Sequence, residues 1–217
     1  MGRYLFSLIV IFIQLLFSLH TALGLPEQTR VPSHWNLQGE IDGYLDKWTG
    51  LLIFPALNLF LVGLMYFLPW ISVRYHLAAA RLDKVIPQIT NILVFFFAVI
   101  NFYIILIVRS IIPSSSNFIL IILGLMFICL GNLFPKLPST YFIGIRTPWS
   151  LHSEKIWRKT HKVGGYCFMI SGFLMILIPM LFPENRELKT VLFILVMLII
   201  FYPVLYSFLL YQQSKKQ

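Results

Sequence analysis

The chain has 217 residues, of which 59% are hydrophobic and 12% charged, with a formal net charge of +9 and a mean hydropathy of +0.83. Charged residues are missing from whole stretches of about twenty residues, roughly the length that an apolar helix needs to cross a hydrocarbon core. This composition excludes a soluble globular protein. The continuous apolar runs exclude a transmembrane β-barrel, whose strands alternate apolar and polar residues. We predict an all-α fold, a polytopic transmembrane helical bundle.

Six apolar runs predict six transmembrane helices. They cover residues 4–25, 51–73, 89–108, 118–134, 163–182 and 190–210. The first run follows Arg3 and ends near Ala22-Leu23-Gly24, an order that is also typical of a cleavable signal peptide. Its apolar region is longer than that of most signal peptides, and a second span follows closely. We therefore expect the first span to be retained as an anchor.

The basic residues are divided unevenly between the two sets of loops. With the N-terminus inside, twelve of the 17 Lys and Arg residues and two of the eight acids lie on the cytoplasmic side, and the remainder lie outside. Since basic loops stay on the cytoplasmic side of a membrane, we predict that the N-terminus and C-terminus are both cytoplasmic. The same distribution places positive charge against anionic lipid and argues against direct binding of nucleic acid.

The first outer loop, residues 26–49, contains two prolines and two glycines, which predict defined turns rather than a continued helix. Its acidic residues and its histidine are metal-ligand types, but their spacing matches no established metal motif. The candidates for recognition of a molecule on the outer face are Pro32, His34, Trp35, Gly39, Asp42 and Gly43. Their order is similar to an N-terminal module of uncharacterised bacterial membrane proteins.

The predicted spans contain no Asp, Glu, Lys or Arg away from their ends. Ionisable residues inside a membrane usually mark ion pathways or proton relays, so a proton-coupled transporter is disfavoured. We expect the polar residues of the spans to form hydrogen bonds between helices; they are Gln14, Ser18, His20, Asn58, Asn91, Asn101, Asn132 and Ser171. His20 lies near the outer end of its helix, where we expect a solvated or hydrogen-bonded neutral ring rather than a ligand. No hydrolase or nucleotide-binding motif occurs, and we expect no enzymatic activity, no catalytic residue, no metal and no cofactor.

The largest predicted inner loop covers residues 135–162. Thr147 and Pro148 form a favourable helix start, with Thr as the N-cap and Pro at the first helical position. On a helical wheel, one side carries Trp149, Ile156, Trp157 and Val163, and the opposite side carries Lys155, Arg158, Lys159 and Lys162. This pattern predicts a basic amphipathic helix that lies along the inner membrane surface before the fifth span, with its tryptophans at the headgroup level.

The most distinctive motif of the chain lies within this inner loop. It consists of Gly144, Ile145, Arg146, Thr147, Pro148, Trp149 and Leu151, followed by Glu154 and Trp157. The motif resembles the SdpI family of bacterial immunity membrane proteins, and the Pro32–Trp35 stretch is similar to a module often found in that family. The resemblance implies a six-span protein of the bacterial cell membrane that protects the cell from a membrane-active peptide toxin. In the best-known systems it also implies signalling, in which a cytoplasmic repressor protein is held at the membrane.

Two interpretations of the motif remain open: it fixes the angle between the fourth and fifth spans, or it forms a docking face for a cytoplasmic partner. We divide the chain into an N-terminal two-span module, residues 1–73, and a four-span SdpI-like region, residues 74–217. The alternative function is a transporter or exporter of small molecules or lipids that works without an ionisable relay.

Overall fold

The computed structural model describes residues 2–36, 40–71 and 75–215. Within these ranges the chain forms seven α-helices and one antiparallel hairpin. The helices are α1 (Leu5–Gly24), α2 (Lys47–Ile71), α3 (Tyr75–Val108), α4 (Ser116–Leu133), α5 (Pro148–His152), α6 (Glu154–Leu181) and α7 (Arg186–Ser214), and the strands are β1 (Val31–Trp35) and β2 (Ile41–Leu45). All helices except α5 are long and apolar enough to cross a membrane. The predicted six-span helical bundle is confirmed.

Four helices, α2, α3, α6 and α7, begin at least four residues before their apolar runs, because hydropathy falls at the first charged residues while the helical backbone continues. α2 begins at Lys47, directly after Asp46, whose carboxylate accepts a hydrogen bond from the Thr49 amide at 3.0 Å. Hydrogen bonds from the Thr49 side chain and backbone keep the pKa of the Asp46 carboxyl below its usual value. α3 begins at Tyr75 and α6 at Glu154. The predicted boundary between residues 73 and 74 lies outside the described residues.

The first three long helices pack together around a buried polar cluster. The Asn101 side-chain oxygen accepts hydrogen bonds from Gln14 Nε2 at 3.1 Å and from Ser18 Oγ at 2.9 Å, and Gln14 Oε1 accepts one from Asn58 Nδ2 at 2.9 Å. These four side chains are fully buried and come from α1, α2 and α3. Each such bond contributes ~0.6–2 kcal/mol to helix association in a membrane. The predicted interhelical role is thus confirmed for them.

The polar residues of the spans do not all behave in this way. Ser7 Oγ donates a hydrogen bond to Asn91 Oδ1 at 2.7 Å, which adds a second link between α1 and α3. His20 and Asn132 are instead exposed on the surface of the bundle. For Asn132 the prediction of an interhelical bond is wrong, whereas the exposure of His20 agrees with the solvated ring expected near the end of its helix.

The helices α4 and α6 touch through glycines. A Cβ atom added to Gly165 would lie 2.6 Å from the Gly131 carbonyl oxygen, and one added to Gly131 would lie 2.7 Å from the Gly165 carbonyl oxygen. Gly124 and Gly172 form a second contact of this kind further along the same pair. Because glycine has no side chain, the two backbones can approach this closely. α6 also packs against α7 on its other side.

The hairpin of β1 and β2 is inserted between the ends of the first three long helices. Val31 of β1 is fully buried there, and a Cβ atom on Gly50 would lie only 2.5 Å from the Val31 Cβ atom. Lys47 lies beneath the hairpin and donates hydrogen bonds to the Leu25 carbonyl at 3.1 Å and to the Glu27 carboxylate at 2.8 Å. The turns predicted for residues 26–49 are confirmed, but the two strands were not predicted.

The two ends of the bundle are formed by different parts of the chain. At the hairpin end, Trp35 Nε1 donates to Ser114 Oγ at 2.9 Å and Arg186 forms an ion pair with Glu40 at 3.4 Å. The opposite end carries the N-terminus, the start of α3, the connection from α4 to α6 and the end of α7. Arg3 and Asp83 form an ion pair of 2.8 Å at that end. The assignment of these ends to the outside and the cytoplasm stays a prediction.

We expect Gly165→Ala to destabilise the protein by about 1–3 kcal/mol, because the added methyl group meets a backbone carbonyl that cannot rotate away. The measurement is the thermal unfolding midpoint of the purified protein in detergent. Gly63→Ala is the matched control, since nothing lies within 4 Å of a Cβ atom at that position. Equal midpoints for the two variants would contradict the glycine-mediated contact.

Candidate functional site: the elbow between the fourth and fifth membrane spans

The predicted motif lies in the connection between α4 and α6, which we call the elbow and define as residues 134–161. Thr147 begins α5 as predicted. Its Oγ1 accepts a hydrogen bond from the Ser150 amide, and Ser150 Oγ accepts one from the Thr147 amide, each at 3.0 Å. Pro148 occupies the first turn, where its missing N–H has no cost. Thr147 and Pro148 therefore have the N-terminal roles that their order predicts.

The prediction of one amphipathic helix along the membrane surface is wrong. α5 ends at His152, Ser153 adopts an extended conformation with φ −147°, and a separate helix begins at Glu154 and continues to Leu181. The Ser153 hydroxyl caps this helix by accepting a hydrogen bond from the Lys155 amide at 3.2 Å. The two predicted faces are nevertheless correct for α6, where Ile156 and Trp157 are buried and Lys155, Arg158, Lys159 and Lys162 are exposed.

His161 holds the elbow together through hydrogen bonds to two parts of the chain. No sequence pattern identified this residue. The Ile145 amide donates a hydrogen bond to His161 Nε2 at 2.9 Å, so this nitrogen carries no proton. His161 Nδ1 lies 2.9 Å from the Trp157 carbonyl oxygen and donates its proton to it. The fully buried ring is therefore neutral, with the proton on Nδ1. The one signal in the sequence is its position four residues after Trp157, on the same buried helix face.

Trp157 joins the start of α6 to the end of α4. Its indole lies on the His161 ring with a centroid distance of 3.9 Å and an interplanar angle of 23°. Its Nε1 donates a hydrogen bond to the Leu137 carbonyl at 2.8 Å, and the side chain is fully buried. A protein carbonyl therefore satisfies the Trp157 indole N–H, and the predicted position of this residue at the headgroup level stays a prediction.

Position 144 requires a glycine for two reasons, the conformation of the backbone and the lack of space for a side chain. Its φ of +110° lies in a region that residues with a Cβ rarely adopt. A Cβ atom at this position would also collide with His161 Nε2 and lie 3.2 Å from the Trp157 ring. Gly164 of α6 leaves room in turn for the Ile145 side chain, whose Cδ1 would be 2.5 Å from a Cβ atom there. The Gly144–Ile145 pair thus fits against one face of α6.

A second set of contacts attaches the elbow to α7. Thr147 Oγ1 and Ser207 Oγ lie 2.9 Å apart, and both side chains are buried. Because the Ser207 hydroxyl donates to the Val204 carbonyl at 2.6 Å, Thr147 is the donor of this bond. The half-buried Trp149 ring meets the Phe208 ring edge-on, with a centroid distance of 5.0 Å. The short helix α5 therefore lies against the end of α7.

A third set of contacts attaches the elbow to α3. Ile143 packs against the buried residues Leu82 and Ile86. It also joins a neighbouring cluster in which Val85 of α3 meets Leu137 of the elbow. The elbow is consequently held by four long helices, namely α3, α4, α6 and α7.

The remaining motif residues face outward. Arg146 is exposed, and its Nη1 donates a hydrogen bond to the Tyr141 carbonyl at 2.6 Å. Glu154 is exposed and forms an ion pair with Arg158 at 3.1 Å, one helical turn further on. Leu151 is half-buried. The motif therefore divides into buried residues that build the elbow and exposed residues that a partner can reach.

The candidate residues of the outer face also include both exposed and buried side chains. His34 Nδ1 lies 2.5 Å from Asp42 Oδ1 across the hairpin, and both side chains are exposed. Gly43 lies opposite His34, where a Cβ atom would be 2.9 Å from the His34 Cβ atom. Pro32 is buried against the bundle, and Trp35 is half-buried. Gly39 lies outside the described residues.

Among the described residues, no three His, Cys, Asp or Glu side chains lie together in an arrangement that could hold a metal ion.

The fold and the elbow define a multi-pass membrane protein with six helical spans. The SdpI/YfhL protein family matches residues 136–207, and a domain of unknown function, DUF1648, matches residues 9–59. The predicted resemblance is thus confirmed: residues 136–207 are similar to the SdpI/YfhL family, which indicates an immunity-type membrane protein. The DUF1648 match covers α1, the hairpin and the start of α2. The similarity of Pro32–Trp35 to a particular module stays a prediction.

No curated protein and no solved structure matches the chain.

We expect Trp157→Phe to lower the stability of the protein by about 1–3 kcal/mol, because it leaves the buried Leu137 carbonyl without a donor. Trp149→Phe is the matched control, since the described residues offer the Trp149 indole N–H no protein acceptor. Thermal unfolding midpoints in detergent compare the two variants. A larger loss for Trp149→Phe than for Trp157→Phe would contradict the assigned role of the indole bond.

Proposed function

We propose that the protein is a non-enzymatic immunity protein, which protects the cell from a membrane-active peptide toxin on the outer side of the membrane. We further propose that it signals inward by holding a cytoplasmic repressor protein at the elbow. The observation that carries the proposal is the SdpI/YfhL match over residues 136–207. This match begins in the elbow and includes α5, α6 and most of α7, which the motif residues form or contact.

The hairpin supports a role in binding the toxin. It presents the exposed ring of Tyr44, with 49% of its surface accessible, beside the exposed Asp42, and Trp48 in the first turn of α2 adds a second ring with 38% of its surface accessible. Membrane-active peptides are commonly basic and amphipathic. Carboxylates attract the basic residues of such a peptide, and aromatic rings bind its cations and its apolar face. The chemistry of the hairpin therefore suits this class of ligand.

The helix α3 supports communication between the two ends. Near its C-terminus, Ile104 and Ile105 pack against Val31 of the hairpin. Near its N-terminus, Leu82 and Ile86 pack against Ile143 of the elbow. A change in how the hairpin packs can therefore alter the elbow through one continuous helix, without a ligand that crosses the membrane.

The exposed side of the elbow supports docking of a cytoplasmic protein. Arg146 and the exposed side of the first turns of α6, which carries Lys155 and Lys159, present positive charge next to the buried motif residues. A partner with an acidic surface would complement this face. The buried residues Thr147 and Trp157 have the structural role, and the exposed residues have the docking role, so the two interpretations of the motif apply to different side chains.

The transporter alternative would need a polar cavity at membrane depth. The buried side chains of Gln14, Asn58 and Asn101 hydrogen-bond to one another and to Ser18 between the helices. They therefore contribute to the helix packing of this region, and we retain immunity as the proposed function.

The proposal is tested by expressing the protein in a sensitive bacterial strain and measuring survival against a panel of basic membrane-active peptides. We expect higher survival against at least one peptide than in cells that carry the empty vector. Unchanged survival across the whole panel would contradict the immunity function.

Within that assay, we expect Asp42→Ala to reduce protection about tenfold, because it removes an exposed carboxylate whose bond to a charged ligand is worth ~1.5–3 kcal/mol. Glu184→Ala is the matched control, since it removes another exposed carboxylate at the hairpin end but outside the hairpin. Immunoblots of the membrane fraction establish that the protein levels are equal. If both variants protect as well as the parent protein, the hairpin is not the binding surface.

A further inference from the structure

A cavity of about 360 Å³ opens beside the elbow, between α3, the turn that follows α4, and the first turns of α6. Its charged lining consists of Arg81, Lys136, Arg158, Lys162 and Glu154. The volume falls within the range of small-ligand sites in proteins. Three separate elements thus bring four cations and one carboxylate to a single opening.

The positive charges of this cavity are not balanced by the protein. Glu154 is paired with Arg158 at 3.1 Å. Among the described residues, the side chains of Arg81, Lys136 and Lys162 have no hydrogen-bond or ion-pair partner. Like charges that converge on one cavity repel each other, and an anion among them would remove that repulsion. The arrangement therefore favours an anionic ligand.

The position of the cavity along the helices indicates the kind of anion. Lys136 is the last residue of the fourth membrane span and Glu154 is the first residue of the fifth. The cavity therefore lies where the hydrocarbon core gives way to the headgroups. Lipid phosphates are found at this level, and basic pockets between transmembrane helices bind anionic headgroups.

We propose that this cavity binds the phosphate group of an anionic phospholipid headgroup. Arg81 and Lys162 supply charge from α3 and α6, and Lys136 supplies it from the intervening turn. Trp157 is a positioning residue for the site, because its hydrogen bond to the Leu137 carbonyl holds this turn against α6. The site does not depend on the toxin or the repressor, so its test is independent of the proposed function.

The experiment measures binding of phosphatidylglycerol to the full-length purified protein in detergent by native mass spectrometry. Lys136→Gln/Lys162→Gln should weaken binding about thirtyfold, since each lysine near an anionic lipid contributes about 1 kcal/mol. Lys155→Gln/Lys159→Gln is the matched control, because it removes the same charge from α6 at two lysines that line a separate small cavity with Gln213.

Two further ligands identify the source of the phosphate. We expect glycerol phosphate, a soluble phosphate ester, and phosphatidylcholine, a lipid without net charge, to bind far more weakly than phosphatidylglycerol. Equal loss of phosphatidylglycerol binding in the two double variants would overturn the proposed site. Binding of glycerol phosphate as tight as that of phosphatidylglycerol would overturn the lipid assignment in favour of a soluble phosphate ligand.

Discussion

The bond from the Ile145 amide to the buried ring of His161 is the interaction on which the elbow depends. A buried amide without an acceptor destabilises the folded state by about 1–3 kcal/mol. The connection between α4 and α6 therefore lies against α6 at Ile145. This path requires the positive φ of Gly144 and leaves no space for a side chain at that position. Thr147 then reaches Ser207 of α7. A single neutral histidine in this way fixes the path between the fourth span and the sixth.

Contacts elsewhere in the bundle hold together the helices against which the elbow packs. Glycines hold α4 and α6 in direct backbone contact, and buried amide and hydroxyl side chains join α1, α2 and α3. α3 packs against the hairpin near one end and against the elbow near the other. The two family-matched regions, residues 9–59 and 136–207, contribute the hairpin and most of the elbow respectively. The proposed binding and docking surfaces therefore lie on opposite ends of one packed structure.

The features that could be predicted from the sequence are those that follow from local composition. Continuous apolar runs predict the six spans, the order of Thr147 and Pro148 predicts a helix start, and the alternation of charged and apolar residues identifies the buried face of α6. The missed features depend on tertiary contacts. The strand that contains Val31 packs between helix ends that are distant in the sequence. The role of His161 depends on Ile145, sixteen positions earlier. The prediction of a surface helix was wrong because the extended backbone at Ser153 separates α5 from α6, and α6 runs directly into the bundle.

The most direct test of this account is the protonation state of His161. Solid-state NMR of the protein in lipid bilayers, with ¹⁵N-labelled histidine, distinguishes a protonated ring nitrogen from an unprotonated one. The chain has five histidines, so the difference from a His161→Gln sample assigns the signal. We predict that near neutral pH His161 carries its proton on Nδ1 and none on Nε2. A protonated Nε2 would contradict the account, because the Ile145 amide could not then donate to it.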